Sequence, residues 1–237
     1  MDSDKFFDRK LVTTGDGSSS IFLPQFNEHY HSHHGAVQES QHVFMKMGWE
    51  KVYPGKEHVN ILEVGFGTGL NAWLVLFDVR WHPDASVDLS PANKRPTVHY
   101  TALELYPVSY EHARQLHYAS AQEVMAFMSL HEAEWNTIAL LNAKFALEKR
   151  QIDVLAFTPG RKYDLVFFDA FAPRVQPELW TKEVFDKLFA AMNDGGILVT
   201  YCSKGDVRRN MIAAGFAVEK VPGPPGKREM LRALKTV

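Results

Sequence analysis

The sequence predicts an α/β fold built on a doubly wound, mostly parallel sheet, and three observations carry that expectation. From Val59 onward, short apolar runs rich in β-branched and aromatic residues alternate with longer helical stretches, the pattern of βαβ units. The run "VNILEV" passes directly into the glycine-rich "GFGTG", as at a strand-to-helix turn beside a ligand. Near the end, "AVEKV" and "EMLRAL" are joined by "PGPPGKR" and read as a terminal antiparallel pair. The 237 residues, 46% hydrophobic and 23% charged, suffice for such a core without disulfide staples.

Each element follows from its own residues. "KLVTTGDGSSSIFL" (10–23) sets two short strands around a Gly/Ser turn, a hairpin. "GAVQESQHVFMKMGW" carries Val37, Val43, Phe44 and Met47 near helical spacing. Residues 1–57 are therefore expected to form an N-terminal extension of hairpin and helix, and 58–237 the main domain. "VNILEV" reads as a buried strand and "LNAWLVLFDV" as the helix behind the glycine loop. Residues 82–96 form a Pro/Asn-rich loop. "TVHYTALEL" gives a strand, "PVSYEHARQLHYA" a helix opened by Pro107, and residues 120–141 are expected to be largely helical. "FALEKRQIDV" reads as a half-polar strand nearer an edge, while "YDLVFFDAF" reads as strongly buried. "PELWTKEVFDKLFAAMN" puts Trp180, Val184, Leu188 and Met192 on one helical face and is stopped by "DGG". "GILVTYC" is the next strand and "GDVRRNMIAAGF" the next helix.

The formal net charge of −2 is unevenly spread: from Lys204 onward eight basic residues face three acids. Such polarity sets a basic face beside an acidic body, with a merely solvated charged surface as the bland alternative. The single cysteine, Cys202, excludes an internal disulfide and fits a reducing compartment. Neither a signal peptide nor an apolar run approaching ~20 residues is present, so a cytoplasmic protein without membrane association is expected.

Ligands of doubly wound sheets lie beyond the carboxyl ends of the strands, so the residues closing each strand matter most. The glycine loop has no Lys-Ser/Thr and is not a Walker loop, and its third glycine, Gly69, comes one residue early for G-x-G-x-x-G. Glu63, two residues before Gly65, would repel a pyrophosphate but attract a cationic amine. S-adenosylmethionine offers that amine and a sulfonium, with no phosphate. Glu104 ends the second strand and suits two ribose hydroxyls. Asp153 is expected to close the third and to accept from an adenine amine. Each acid alone reads more readily as a solvated strand end or a helix cap; three of them after E-x-G-x-G-x-G favour a cofactor site. In "FFDAFAP", Asp169 is followed by Phe171 and Pro173, similar to the acid-Pro-Pro-aromatic motif by which amino-group methyltransferases hold a target amine.

"ILEVGFGTGLN", "FFDAFAPRVQPELWTKEVF", "GGILVTYCSKGDVRRNMIAAGF" and "GKREML" together resemble the methyltransferase family of 5-methylaminomethyl-2-thiouridine synthesis in tRNA. The resemblance runs from about Tyr30 onward, with gaps around 82–96 and 105–150. In many bacteria this enzyme is half of a bifunctional protein whose other half is an FAD-dependent oxidoreductase. A stand-alone methyltransferase without FAD is expected here. The resemblance implies a class I S-adenosylmethionine-dependent fold and methyl transfer to the primary amine of 5-aminomethyl(-2-thio)uridine at the wobble position. It implies cofactor binding by Glu63, Gly65, Gly67, Gly69 and Asn71, with Thr68 in the same loop, and by Glu104, Asp153 and Tyr30. Ile152 stands where the family carries glycine. Asp169 matches the catalytic position, and Phe171, Ala172, Pro173 and Trp180 the acceptor block. Glu39 is expected beside the substrate, and Lys204, Arg208, Arg209, Lys227 and Arg228 on tRNA phosphates. No obligate protein partner is evident.

An alkylammonium of pKa ~10.4 has no lone pair, so Asp169 is expected to aim the amine first and to take its proton second. The alternatives are a small-molecule amine transferase related to polyamine synthases and a nicotinamide oxidoreductase. "EHYHSHHG" carries His29, His31, His33 and His34; on an extended chain the first three point one way. Only isolated histidines elsewhere offer to complete a ligand set, so no metal is expected.

Overall fold

The computed structural model describes residues 7–81 and 95–236; most of the loop expected at 82–96 lies outside the described residues. The N-terminal hairpin forms as expected: β1 (Lys10–Thr13) pairs antiparallel with β2 (Ser19–Leu23), and a short β3 (Glu28–His29) adds a third strand. A helical stretch follows, from α1 (Ala36–Ser40) through a π-helical Gln41–Trp49 to α2 (Glu50–Val52). Its apolar face buries Val43, Phe44 and Trp49 against the main sheet, where Phe44 meets Phe167 at 5.2 Å.

The main sheet contains β4 (His58–Val64), β5 (Thr97–Leu103), β6 (Ile138–Asn142), β7 (Phe145–Arg150), β8 (Tyr163–Phe168), β9 (Met192–Thr200), β10 (Ala217–Pro222) and β11 (Glu229–Leu234). Their spatial order is β10-β11-β9-β8-β4-β5-β7-β6. The five central strands run parallel, and β10–β11, β11–β9 and β6–β7 are antiparallel. Both faces of the centre are covered, which is why β8 reads as an unbroken apolar run. Successive β4 side chains serve the two layers: Val59 and Ile61 join the core holding Phe44, Trp73 and Phe127. Leu62 and Val64 join the core holding Trp180, Phe185 and Met211. The connecting helices are α3 (Leu70–Trp81), α4 (Tyr110–Ala113), α5 (Val124–Glu132), α6 (Lys182–Ala191) and α7 (Gly205–Ala213). Among the described residues no helix is long and apolar enough to cross a membrane.

Four expectations need correction. The helix expected at 107–119 shrinks to the four residues of α4, capped by Ser109. Beyond it the chain is claimed by β2: the His117 amide donates to Ser19 Oγ (3.0 Å) and the Tyr118 hydroxyl to the Ser19 carbonyl (2.8 Å). The span 120–141 is helical only in α5; Asn136 turns the chain through a left-handed φ of 64°, and β6 then pairs with β7. A short apolar run such as "IALLN" fits helix or strand alike, and pairing decided it. β7 stops at Arg150, so Asp153 lies in the following turn, its Oδ1 accepting from the Leu155 amide at 2.7 Å. The helix before β9 is not halted by "DGG": α6 ends at Ala191, and β9 already begins at Met192.

Candidate functional site

The sheet order reverses at β4, whose neighbours β5 and β8 lead to opposite sides. At the carboxyl ends of these strands opens a cavity of about 690 Å³, the position at which doubly wound folds bind ligands. The loop after β4 needs its glycines there. Gly65 has φ 92°, and a Cβ on it would come within 2.5 Å of the Asp169 carbonyl oxygen. Gly67, at φ 51°, lies under the Tyr30 ring, 3.2 Å from where its Cβ would be. Gly69 turns the chain into α3 at φ 74°.

Three polar side chains form one chain of contacts across the floor. Asn71, one residue into α3, donates from Nδ2 to Glu63 Oε1 (2.9 Å) and to Asp169 Oδ2 (2.8 Å). Its Oδ1 is buried without a partner among the described residues. Glu63 is 0% exposed, and burial raises its pKa well above the ordinary carboxyl value. The Asn71 donor opposes that rise, and the Asp169 charge adds to it. Asp169 is pushed up to about 7, by burial first and by the Glu39 charge second; Asn71 and Lys227 pull the other way.

At the end of β5, Glu104 accepts the Gly67 amide at Oε2 (3.0 Å) and the Tyr106 amide at Oε1 (2.9 Å). Each oxygen keeps a lone pair for a ligand hydroxyl. Asp153 lines the same cavity although no strand carries it.

The segment after β8 is held rigidly. The Phe171 amide donates to Gln176 Oε1 (3.1 Å), the Trp180 indole to the Phe171 carbonyl (2.8 Å), and the Tyr201 hydroxyl to the Ala170 carbonyl (2.9 Å). Phe171 and Ala172 line the cavity and Phe171 meets Tyr30 edge-on at 5.0 Å; Pro173 completes the turn. Trp180 lies beneath that turn, 3% exposed, packed on Phe168 at 4.9 Å.

The N-terminal segment forms the opposite wall. Glu39 is buried at the end of α1; its Oε2 accepts the Ser32 amide and its Oε1 the Lys227 ammonium, both at 2.8 Å. Thr68 Oγ1 is 3.3 Å from His31 Nε2 and 3.2 Å from the Tyr118 hydroxyl, fastening this wall to the glycine loop. All four histidines line the cavity, but they make separate contacts there. His29 packs on Phe22 (4.6 Å), and the His33 and His34 rings lie together at 4.0 Å. His31 is wedged between Ser20 and Thr68, and burial lowers its pKa to about 4.

The basic residues are scattered in role. Lys204 is exposed at the start of α7, just past β9, and Arg228 is exposed in the loop before β11. Arg209 is paired with Asp206, Arg208 is half-buried, and Lys227 sits inside the cavity on Glu39. Glu229 is taken by Lys220 at 2.6 Å. Sequence reasoning missed Tyr201, although it directly follows β9. It also missed Arg174, which reaches back from the Phe171 turn to Glu28 at 2.6 Å.

A family model described as S-adenosyl-L-methionine-dependent methyltransferase matches residues 114–236. The chain is 31% identical over 233 residues to the tRNA 5-methylaminomethyl-2-thiouridine biosynthesis bifunctional protein MnmC of Aromatoleum aromaticum, covering 94% of this chain and 35% of that protein. The protein of the same description from Paracidovorax citrulli is 29% identical over 221 residues, covering 90% of this chain and 33% of that one. This chain thus spans about a third of the length of these curated relatives. A crystal structure described as MNMC2 from Aquifex aeolicus superposes with a TM-score of 0.77 at 24% identity, over 98% of this chain and 72% of that one, and shares the fold.

Proposed function

Since this chain belongs to the S-adenosyl-L-methionine-dependent methyltransferases, we propose that it methylates the primary amine of a 5-aminomethyl(-2-thio)uridine in tRNA. The observation that carries the reading is the Glu63–Asn71–Asp169 chain, which joins the cofactor loop to the acceptor turn. The residues present fit the cofactor. Glu63 and the unpartnered Asn71 Oδ1 suit its cationic amino-acid end, the free lone pairs of Glu104 its ribose, and Asp153 its base. An ammonium beside Glu63 draws that group back to its charged form. When bound, S-adenosylmethionine supplies an electrophilic methyl group on a sulfonium.

The acceptor nitrogen must lose a proton before it can attack. Against an ammonium of pKa ~10.4, an ordinary aspartate is about 6 units too weak a base. Raised to about 7, Asp169 narrows that gap to about 3 units. A sulfonium nearby lowers the ammonium further, by about 2 units at ~5 Å. An Asp169 oxygen would take that proton first, freeing the nitrogen lone pair to accept the methyl group. Phe171, fixed by Gln176 and Trp180, packs on the base, and Tyr30 covers the glycine loop. The MnmC description of the relatives and the exposed Lys204 and Arg228 in the loops after β9 and before β11 support tRNA as the carrier.

Asp169→Asn is expected to lower single-turnover methyl transfer to aminomethyl-tRNA by at least about 100-fold while retaining S-adenosylhomocysteine binding. Near-normal turnover removes Asp169 from the reaction. Nucleoside mass spectrometry of tRNA from a deletion strain should show accumulated aminomethyluridine; an unchanged profile, with methylation of polyamines in vitro, favours a small-molecule enzyme instead.

A further inference from the structure

Lys227 is the residue whose position departs most from a phosphate contact. It lies in the loop between β10 and β11, yet its ammonium enters the cavity, 2.8 Å from Glu39 Oε1 and 4.2 Å from the centre of the Tyr201 ring. Tyr201 is bonded to the carbonyl of Ala170, the neighbour of Asp169, and Glu39 is bonded to Ser32 in the opposite wall. One ammonium thus joins three separate parts of the acceptor end.

We propose that Lys227 is a positioning residue: paired with Glu39 and seated on Tyr201, it sets the charge that Asp169 experiences and closes the acceptor end of the cavity. The inference rests on the amine-methylation reading above. The groups facing Asp169 are Glu39 from α1, Glu63 from β4, Tyr100 from β5, Tyr201 after β9, and Lys227. Burial keeps both tyrosines protonated, and neither substitution touches Glu63, which leaves Glu39 and Lys227 as the opposed charges under test. Glu39 raises the Asp169 pKa and Lys227 lowers it. Because the two neutralise each other, removing either has an effect of opposite sign. Without the ammonium, a bare carboxylate faces Asp169 and makes it a stronger base that is protonated at neutral pH. Without the carboxylate, a bare ammonium makes it a weaker base.

The test uses the full chain saturated with S-adenosylhomocysteine and labelled with carboxyl-13C aspartate. The Asp169 resonance is assigned by its loss in Asp169→Asn and titrated by NMR, and the acid limb of single-turnover methyl transfer is measured in parallel. Lys227→Met is expected to move the Asp169 titration up by about one pH unit and Glu39→Gln to move it down by about one. The double variant should return close to wild type, and Lys227→Arg should keep the native midpoint. If neither single variant shifts the titration, or both shift it the same way, the proposal is overturned. So it is if Lys227→Met changes only the tRNA affinity and its salt dependence, as a phosphate contact would. The NMR titration needs no acceptor. Opposed shifts in a protein that never methylates tRNA would therefore sink the substrate reading and leave the charge pairing standing.

Discussion

Lys149 has the most unusual environment of any single cation outside the cleft. It is 1% exposed, donates to the His131 carbonyl at 2.9 Å, and lies over the Trp135 ring at 4.8 Å. Burial lowers its pKa from 10.5 to about 8. The unfolded chain holds that proton to higher pH than the folded one, so stability should rise as pH goes from about 8 to about 10.5. Lys149→Met should flatten the rise. Its gain at neutral pH should be no more than about 2 kcal/mol, since the His131 carbonyl loses its donor. Urea unfolding across that pH range decides it; equal slopes in both proteins would exonerate Lys149. At the glycine loop, Gly67→Ala puts a Cβ at φ 51° and within 3.2 Å of the Tyr30 ring. It is expected to weaken S-adenosylhomocysteine binding by about tenfold in calorimetry, on the order of the 1–2 kcal/mol that such backbone strain costs. These acids and glycines were legible in the sequence because a strand end is a place where a residue's type has few structural reasons. Tyr201 and Lys227 were not legible as neighbours of Asp169, because long-range contacts between loops leave no local pattern.

The elements divide in the same way. Strands β4, β5, β8 and β9 and helices α3, α6 and α7 carried clear apolar runs between turn signals, and they form near where those signals predict. The stretch from Pro107 to Asn142 did not. There, tethering of His117 and Tyr118 to β2 and pairing of β6 with β7 outweigh weak helical propensity. The N-terminal wall depends on equally non-local contacts. Arg174 binds Glu28 at 2.6 Å and the Asn27 carbonyl at 3.2 Å, clamping β3 to the Phe171 turn. The Arg174 side chain is 55% exposed, so the pair adds only about 0–1 kcal/mol to stability. Arg174→Ala should therefore leave Tm within about 3 °C while speeding amide hydrogen exchange over residues 27–34. Unchanged exchange there would mean that Thr68, His31 and Tyr118 alone hold the wall.

For the whole molecule, charge asymmetry becomes a prediction about salt. Lys204 and Arg228 are exposed cations in the loops after β9 and before β11, while Arg209 is spent on Asp206. If tRNA is the carrier, Lys204→Ala with Arg228→Ala should lower the slope of log affinity against log salt by about 2, and Arg209→Ala should change it less. Filter binding across salt concentrations measures this, and an unaltered slope would place the RNA on another face. The doubly wound class was legible from alternation alone. The position of β11 between β10 and β9 was not, and it has a consequence for synthesis. β9 finds its outer partner only in residues 231–234, and Lys227 reaches Glu39 from the loop just before them. A nascent chain on the ribosome can assemble β4, β5 and β8 early, yet the Glu39 end of the cavity stays open until β11 has emerged. Methyl-transfer competence should therefore arise in one step once β11 is free to pair, so that shorter nascent fragments hold no half-built enzyme.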